Sequence, residues 1–509
     1  MELVLGEGFG LFGGTRMGRM MLAGNKKILV GLTGNTIGLV LAWPLAMAAI
    51  LVPEHFLGIR LVAWGFVAYR IWKQPLEGLL LLAFFTPLFD NFGVIPIDFS
   101  LRPIGIPTST SHDQLSSVFF SIKPVQLITL LLIGSLAIRR RLFFKDPLDW
   151  LVVASLIGML GISVLAGAYS DDPLKAFRVS FNFAIIIALC KVLMSMLDRR
   201  ELFWKILWCY FGGVVFLCLV HTVNYFSTLS LFGLEIVHFN NHFGFLLSMS
   251  FPLELFLLCT ASNLPSRLGY LGLLLFSFFC MALTLSRAAL YSTAIGTVLF
   301  LILVYARSPA NRRSKILGLA LGAFSALAVP ALLYEFVVGR NKTLSLFSGR
   351  SKLSSFTKLF DPSYWRHSIF LDPNGGMFGE RFVQLGMVKK LFLQHWLFGE
   401  GWTNRVISFH GLAYTMLTGT GAVGFSLFAF FMYWTFRALW RISKRDPNPS
   451  SSILALALFC SLTVWMLHCL LETYFLQFHI WLILAMILAY IKLIRGSGEA
   501  LQAHVAERS

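Results

Sequence analysis

The chain has 509 residues, 57% of them hydrophobic and 13% charged, and its mean hydropathy is +0.75. That composition excludes an ordinary soluble enzyme, and the want of short alternating apolar segments excludes a transmembrane barrel. The net charge of +18 does not point to nucleic acid, because the basic residues fall in short runs between apolar stretches, as cytoplasmic loops do.

Residues 1–27 are glycine-rich and basic, with Arg16, Arg19, Lys26 and Lys27, and read as a cytoplasmic tail. The first apolar stretch, 28–52, reads as an uncleaved anchor. Spans are predicted next at 56–70 and 76–89, with Pro75 at a helix start. A polar loop from Asp90 to Lys123 separates these from a span at 124–138, and the run Arg139 to Lys145 marks the cytoplasmic side. The next spans are 148–168 and 179–197, joined by an outer loop from Tyr169 to Arg178. They are followed by 203–222, 243–260, 268–285 and 288–305, with Ser286–Arg287 in a tight outer turn between the last two. A span at 316–334 delivers the chain to a long polar stretch, Glu335 to His410. Three more spans, 411–436, 452–469 and 475–491, complete the chain, with Arg437 to Arg445 as a basic inner loop.

Stretches of about 20 apolar residues are long enough to cross the hydrocarbon core, and there the backbone must satisfy its own hydrogen bonds, which requires helices. The predicted fold class is an all-α polytopic integral membrane protein of about 14 transmembrane helices (12–14), with one large extracytoplasmic loop subdomain. The bundle would occupy 28–334 and 411–491, the loop 335–410, and the second cytoplasmic tail 492–509.

The loop carries ten Lys or Arg against five Asp or Glu. Such an excess suits an ordinary basic surface or an anionic substrate, and arginine offers a phosphate two parallel donors. Within it, Phe382, Leu385, Val388, Leu391 and Phe392 share one helical face and Arg381, Lys389 and Lys390 the other. This helix could rest on the membrane surface or pack within the loop. The phrase Phe398–Gly399–Glu400–Gly401–Trp402 follows, with glycines that permit a sharp turn and a close backbone approach. His410, where the chain re-enters the membrane, could orient or deprotonate a hydroxyl or fill a structural role. Gly419, Gly421 and Gly424 read as packing positions of the helix that follows.

Charged residues at membrane depth are costly and mark candidate sites. Arg287 stands between apolar flanks and Arg178 closes a short outer loop. The run His238 to His242 gives Asn241 and His242 as hydrogen-bond partners for sugar hydroxyls, and lacks a carboxylate at metal-ligand spacing. Glu254 and Glu472 are candidate ion-pair partners for the arginines. The seven cysteines lie in apolar stretches without a CxxC pair. No phosphate-cradling glycine loop or nucleotide fingerprint occurs, so energy would come from the substrate or an ion gradient.

Three pieces of the chain resemble the bacterial O-antigen ligase and Wzy-type polysaccharide polymerase superfamily: Leu283 to Gly296 around Ser286–Arg287, the outer loop with Arg381 about twenty residues ahead of the Phe398–Gly401 phrase, and Phe398 to Phe425 with His410. Members of that family often have an asparagine after the histidine, where this chain has Gly411. The resemblance implies an inner-membrane, inverting glycosyltransferase with cytoplasmic termini and a periplasmic active site. It would use an undecaprenyl-diphosphate-linked oligosaccharide donor, no cofactor and no metal. Arg287, Arg381 and, more weakly, Arg178 would hold the diphosphate, and His410 would serve the acceptor hydroxyl. Arg405, Asn241 and His242 are candidate glycan or loop contacts. A polymerase would extend a lipid-linked glycan, whereas a ligase would hand the chain to lipid A core or a protein. A chain-length regulator and a flippase are the expected partners. A transporter of lipid-linked sugar is the alternative from another class.

Overall fold

The computed structural model describes residues 57–91, 124–139, 147–170, 173–226, 241–284, 286–308, 379–402, 411–446, 448–470 and 477–506. The predicted spans at 28–52 and 316–334, the loop from Asp90 to Lys123 apart from its first two residues, and most of 335–410 lie outside the described residues.

The described residues form thirteen α-helices and no strand. They are α1 (Leu57–Lys73), α2 (Pro75–Asn91), α3 (Pro124–Ile138), α4 (Pro147–Ala168), α5 (Pro173–Met196), α6 (Arg200–Phe226) and α7 (Asn241–Thr260). The rest are α8 (Leu264–Leu283), α9 (Arg287–Arg307), α10 (Gly379–Gln394), α11 (Leu412–Arg445), α12 (Pro449–Cys469) and α13 (Phe478–Ala506). Eight of these are long and apolar enough to cross a membrane. Proline opens α2, α3, α4, α5 and α12, where its missing N–H costs nothing and its fixed φ already suits a helix.

Two boundaries differ from expectation. The outer loop predicted to run to Arg178 ends sooner, because Pro173 starts α5 directly after two aspartates; Arg178 therefore sits in the second turn of a helix. The basic run Arg437 to Arg445, expected as an inner loop, continues α11. Its cations lie along aromatic rings instead of ending the helix: Arg437 is 6.0 Å from the Tyr433 centroid and Lys444 is 4.9 Å from that of Trp440.

α7 stands at the centre, packed on α8, α9 and α12. Its membrane-length window is 89% buried, whereas that of α8 is 22% buried and faces outward. α5 packs on α4 and α13, α4 on α11, and α2 on α6. Side-chain hydrogen bonds add further ties: Gln126 of α3 to Asn182 of α5 at 2.8 Å, Ser163 of α4 with Ser180 of α5 at 2.6 Å, and Tyr210 of α6 with Ser250 of α7 at 2.9 Å. Glu254, buried in α7, accepts from Ser277 Oγ on α8 at 2.9 Å and has no arginine ion pair among the described residues.

Basic residues gather at one end of the bundle. Arg307 at the end of α9 lies 4.7 Å from the Trp440 ring of α11, and Arg495 of α13 lies 5.3 Å from Trp434. Arg139 donates to the last carbonyls of α1, those of Trp72 and Lys73, where the negative helix end favours a cation. The neighbouring Arg70 is buried and forked onto Glu77 at 2.9 and 2.5 Å across the α1–α2 turn. A reporter active only outside the cytoplasm should therefore work when fused near Ser351 and fail near Arg141 or Arg312. Activity of the fusions in the opposite pattern would invert this orientation.

Candidate functional site

Residues 379–402 of the long polar stretch fold against α11. In α10 the expected apolar face turns Val388 and Leu391 inward, leaving Lys389 and Lys390 exposed. The helix packs on α11, so burial comes from the bundle itself. Around its end Leu393, Trp396, Leu397 and Phe398 are exposed together with Gln394 and His395, a mixed aromatic and polar composition suited to the membrane–water interface.

The chain then turns into a break in α11. At Gly421 the backbone reaches φ 66°, ψ −168°, a region closed to other residues. The break frees backbone groups that hydrocarbon cannot satisfy, and the incoming segment satisfies them. The N–H of Glu400 donates to the Thr418 carbonyl at 2.7 Å, and that of Gly401 to Gly419 at 3.0 Å. In return the N–H groups of Ala422 and Val423 donate to the carbonyls of Trp396 and Leu397 at 2.8 and 3.2 Å. The part of α11 beyond the break, about 24 residues or roughly 36 Å at 1.5 Å per residue, is long enough to cross the hydrocarbon core alone. Its positive end opens at the break, the arrangement discontinuous membrane helices use towards anionic groups.

Both loop glycines have positive φ, 75° at Gly399 and 87° at Gly401, as the expected sharp turn requires. The close approach is there too: a Cβ on Gly401 would stand 2.8 Å from Gly167 Cα at the end of α4, and one on Gly399 would stand 2.5 Å from the Gly419 carbonyl carbon. Gly421, expected as a packing position, is instead the break itself. Beyond the glycines Trp402 is buried edge-on against Phe183 of α5 at 5.2 Å, and Phe183 meets Trp481 of α13 at 5.6 Å. This aromatic chain fixes the loop to the bundle core.

Glu400, held between the glycines, is 6% exposed, and its Oε2 has no hydrogen-bond partner among the described residues. Sequence reasoning did not single it out. The available signal was a carboxylate between two glycines within a basic stretch.

A second grouping lies where helices begin. Ser286 caps α9, accepting from the Ala289 N–H at 3.3 Å, so Arg287, expected within the tight turn, is instead the first helical residue. This turn abuts the start of α7, for a Cβ on Gly244 would be 2.8 Å from Thr284 Oγ1 and 3.1 Å from Ser286 Cβ. The fold thus brings the backbone of Arg287 close to the first turn of α7, which carries Asn241 and His242. Beside them Phe245 stacks on His468 at the end of α12, 4.4 Å away, and meets His479 at the start of α13, 5.6 Å away. Both histidines are fully buried, and neither was singled out in the sequence, although they flank the predicted short turn around Glu472. Gly411, which precedes α11, sits against this corner, 3.4 Å from the Leu470 carbonyl measured from a built Cβ.

Arg381 is placed differently. It stands in the first turn of α10, about 20 Å of helix from the segment that fills the break. Arg178 is half-buried in α5, about one and a half turns ahead of Phe183. The side chains of Arg287, Arg381, Asn241 and His242, and the whole of Arg405, His410 and Glu472, lie outside the described residues. No protein-family model matches the chain, and no curated protein matches it in sequence.

Proposed function

We propose that the protein is an inverting glycosyltransferase of the bacterial inner membrane that polymerises undecaprenyl-diphosphate-linked glycan repeat units on the periplasmic side. The observation that carries this reading is the broken helix α11, whose gap is filled by the Gly399–Trp402 segment of a strongly basic stretch. Irregular backbone at membrane depth is tolerated where it is buried in protein or lines a water-filled cavity, and a break of this kind turns the positive end of a half-helix towards anionic groups. Arg287, Arg381 and Arg178 would hold the diphosphate, giving the leaving group its charge stabilisation. The acceptor oxygen bonds to the anomeric carbon from the face opposite the diphosphate. The carbon–oxygen bond to the diphosphate breaks, its electron pair leaving with the phosphate oxygen. His410 orients the acceptor hydroxyl or takes its proton, and Arg405, Asn241 and His242 meet the glycan. Both termini are cytoplasmic in this reading, and the expected partners are a flippase and a chain-length regulator.

A ligase uses the same donor and differs in its acceptor, lipid A core or a protein. A transporter is the second reading, because discontinuous helices also build transporter sites. One reconstituted assay separates the three, using purified protein, lipid-linked donor, and lipid-linked glycan and lipid A core as competing acceptors. Extension of the lipid-linked glycan is the expected product. Arg287→Ala and Arg381→Ala should each lower transfer with little recovery by lysine, and His410→Ala should keep donor binding and lose about 100-fold in transfer. Donor movement across the bilayer with no new glycosidic bond would remove the enzyme reading.

A further inference from the structure

Glu400 combines three features that a surface loop carboxylate does not have. Its main chain is immobilised, its own N–H and the next one being spent on the Thr418 and Gly419 carbonyls at 2.7 and 3.0 Å. It stands between Gly399 and Gly401, each pressed onto backbone where a Cβ does not fit, so the loop cannot slide to release it. Finally, its side chain is 6% exposed while Oε2 accepts from nothing among the described residues, and no ion pair to it is formed among them.

Burying a carboxylate oxygen without a donor is expensive, because its lost hydration is not replaced. Among the described residues, none of the elements around the loop donates to that oxygen. The N–H groups of Ala422 and Val423 are already donated to Trp396 and Leu397. The end of α4 approaches through Gly167, and Trp402 is turned against Phe183. A rigid, desolvated acceptor left open among the described residues is suited to a donor carried by a bound substrate. In a membrane protein acting on a glycan, the fitting donor is a sugar hydroxyl.

We propose that Glu400 is the general base of the transfer, accepting the proton of the acceptor sugar hydroxyl as that oxygen bonds to the anomeric carbon. The electron pair of the breaking carbon–oxygen bond leaves with the diphosphate, so charge and protons balance without any further reactant. This rests on the glycosyltransferase reading above and narrows it: the proton goes to the carboxylate, and His410 is left to orient the hydroxyl.

The test uses the full-length protein with lipid-linked donor and a lipid-linked glycan acceptor. Glu400→Gln keeps the shape and an acceptor oxygen but cannot take a proton. It should lower kcat by about 100-fold or more while the acceptor KM stays within about threefold. Glu400→Ala should be as poor, and added formate should restore part of its rate by supplying the missing carboxylate in the space left. A purely structural glutamate would not respond to formate. Wild-type kcat in Glu400→Gln, or a Glu400→Ala protein that formate does not rescue, overturns the assignment while leaving the transferase reading in place. Absence of any glycosidic product from the wild-type protein overturns both.

Discussion

Valine at position 421 is expected to undo the junction between α11 and the loop that fills its break. The residue sits at φ 66°, ψ −168°, which costs a residue with a side chain about 1–3 kcal/mol in backbone strain. A Cβ there would also run into the carbonyl group of Leu397, and that group is held by the Val423 N–H at 3.2 Å. The obstacle is backbone, so no rotamer change removes it. If the loop retreats, four hydrogen bonds across the junction are lost at about 1 kcal/mol each, more where the groups stay dry. Gly421→Val should therefore lower the thermal midpoint in detergent sharply and make the 395–402 segment accessible to protease in the protein that survives. Gly161→Ala is the control, since nothing lies within 4 Å of a Cβ built there, and its effect should stay within about 0.5 kcal/mol. Equal midpoints for the two variants would mean that the junction does not hold the loop.

Glu77→Ala should have the largest effect on stability away from the loop. The carboxylate takes two hydrogen bonds from the Arg70 guanidinium at 2.9 and 2.5 Å, with both side chains under a tenth exposed. Removing it strands a buried positive charge, which costs about 3–5 kcal/mol. It also takes an acid from the first turn of α2, where the helix dipole favours one by about 0.3–1 kcal/mol. The double substitution Arg70→Met with Glu77→Leu should return most of the loss, because a packed apolar pair avoids the desolvation of both ions. Unfolding midpoints of the two single variants and the double variant give the coupling. Additive losses would show that the pair does not act as a unit.

Pairs of this kind show what the sequence could not say. Arg70 closes the span predicted at 56–70, and only the folded structure reveals that its charge is cancelled by Glu77. The spans themselves were legible. The span expected at 124–138 is α3, Pro124–Ile138, and the one at 243–260 is α7, Asn241–Thr260. Hydrocarbon forces each apolar stretch to satisfy its own backbone, so the local composition decides the local structure. The turn before Arg287 and the sharp bend at Gly399 and Gly401 were legible for the same reason, since a cap and a positive φ are properties of one or two residues.

Sequence alone, then, determined the helices and the turns whose chemistry is contained within a few neighbouring residues. The tertiary structure decided which helices meet, setting α5 against α13 and α4 against α11, because apolar faces that look alike in composition differ in shape only once packed. It also decided where α11 breaks. A glycine among three in that helix can remain helical, and Gly421 departs because Trp396, Leu397, Glu400 and Gly401 make hydrogen bonds that span 18 to 26 positions of sequence. The burial of Glu400 follows from the same contacts: a carboxylate flanked by glycines is solvated in an isolated loop, and becomes dry only when the loop is stitched into a membrane helix.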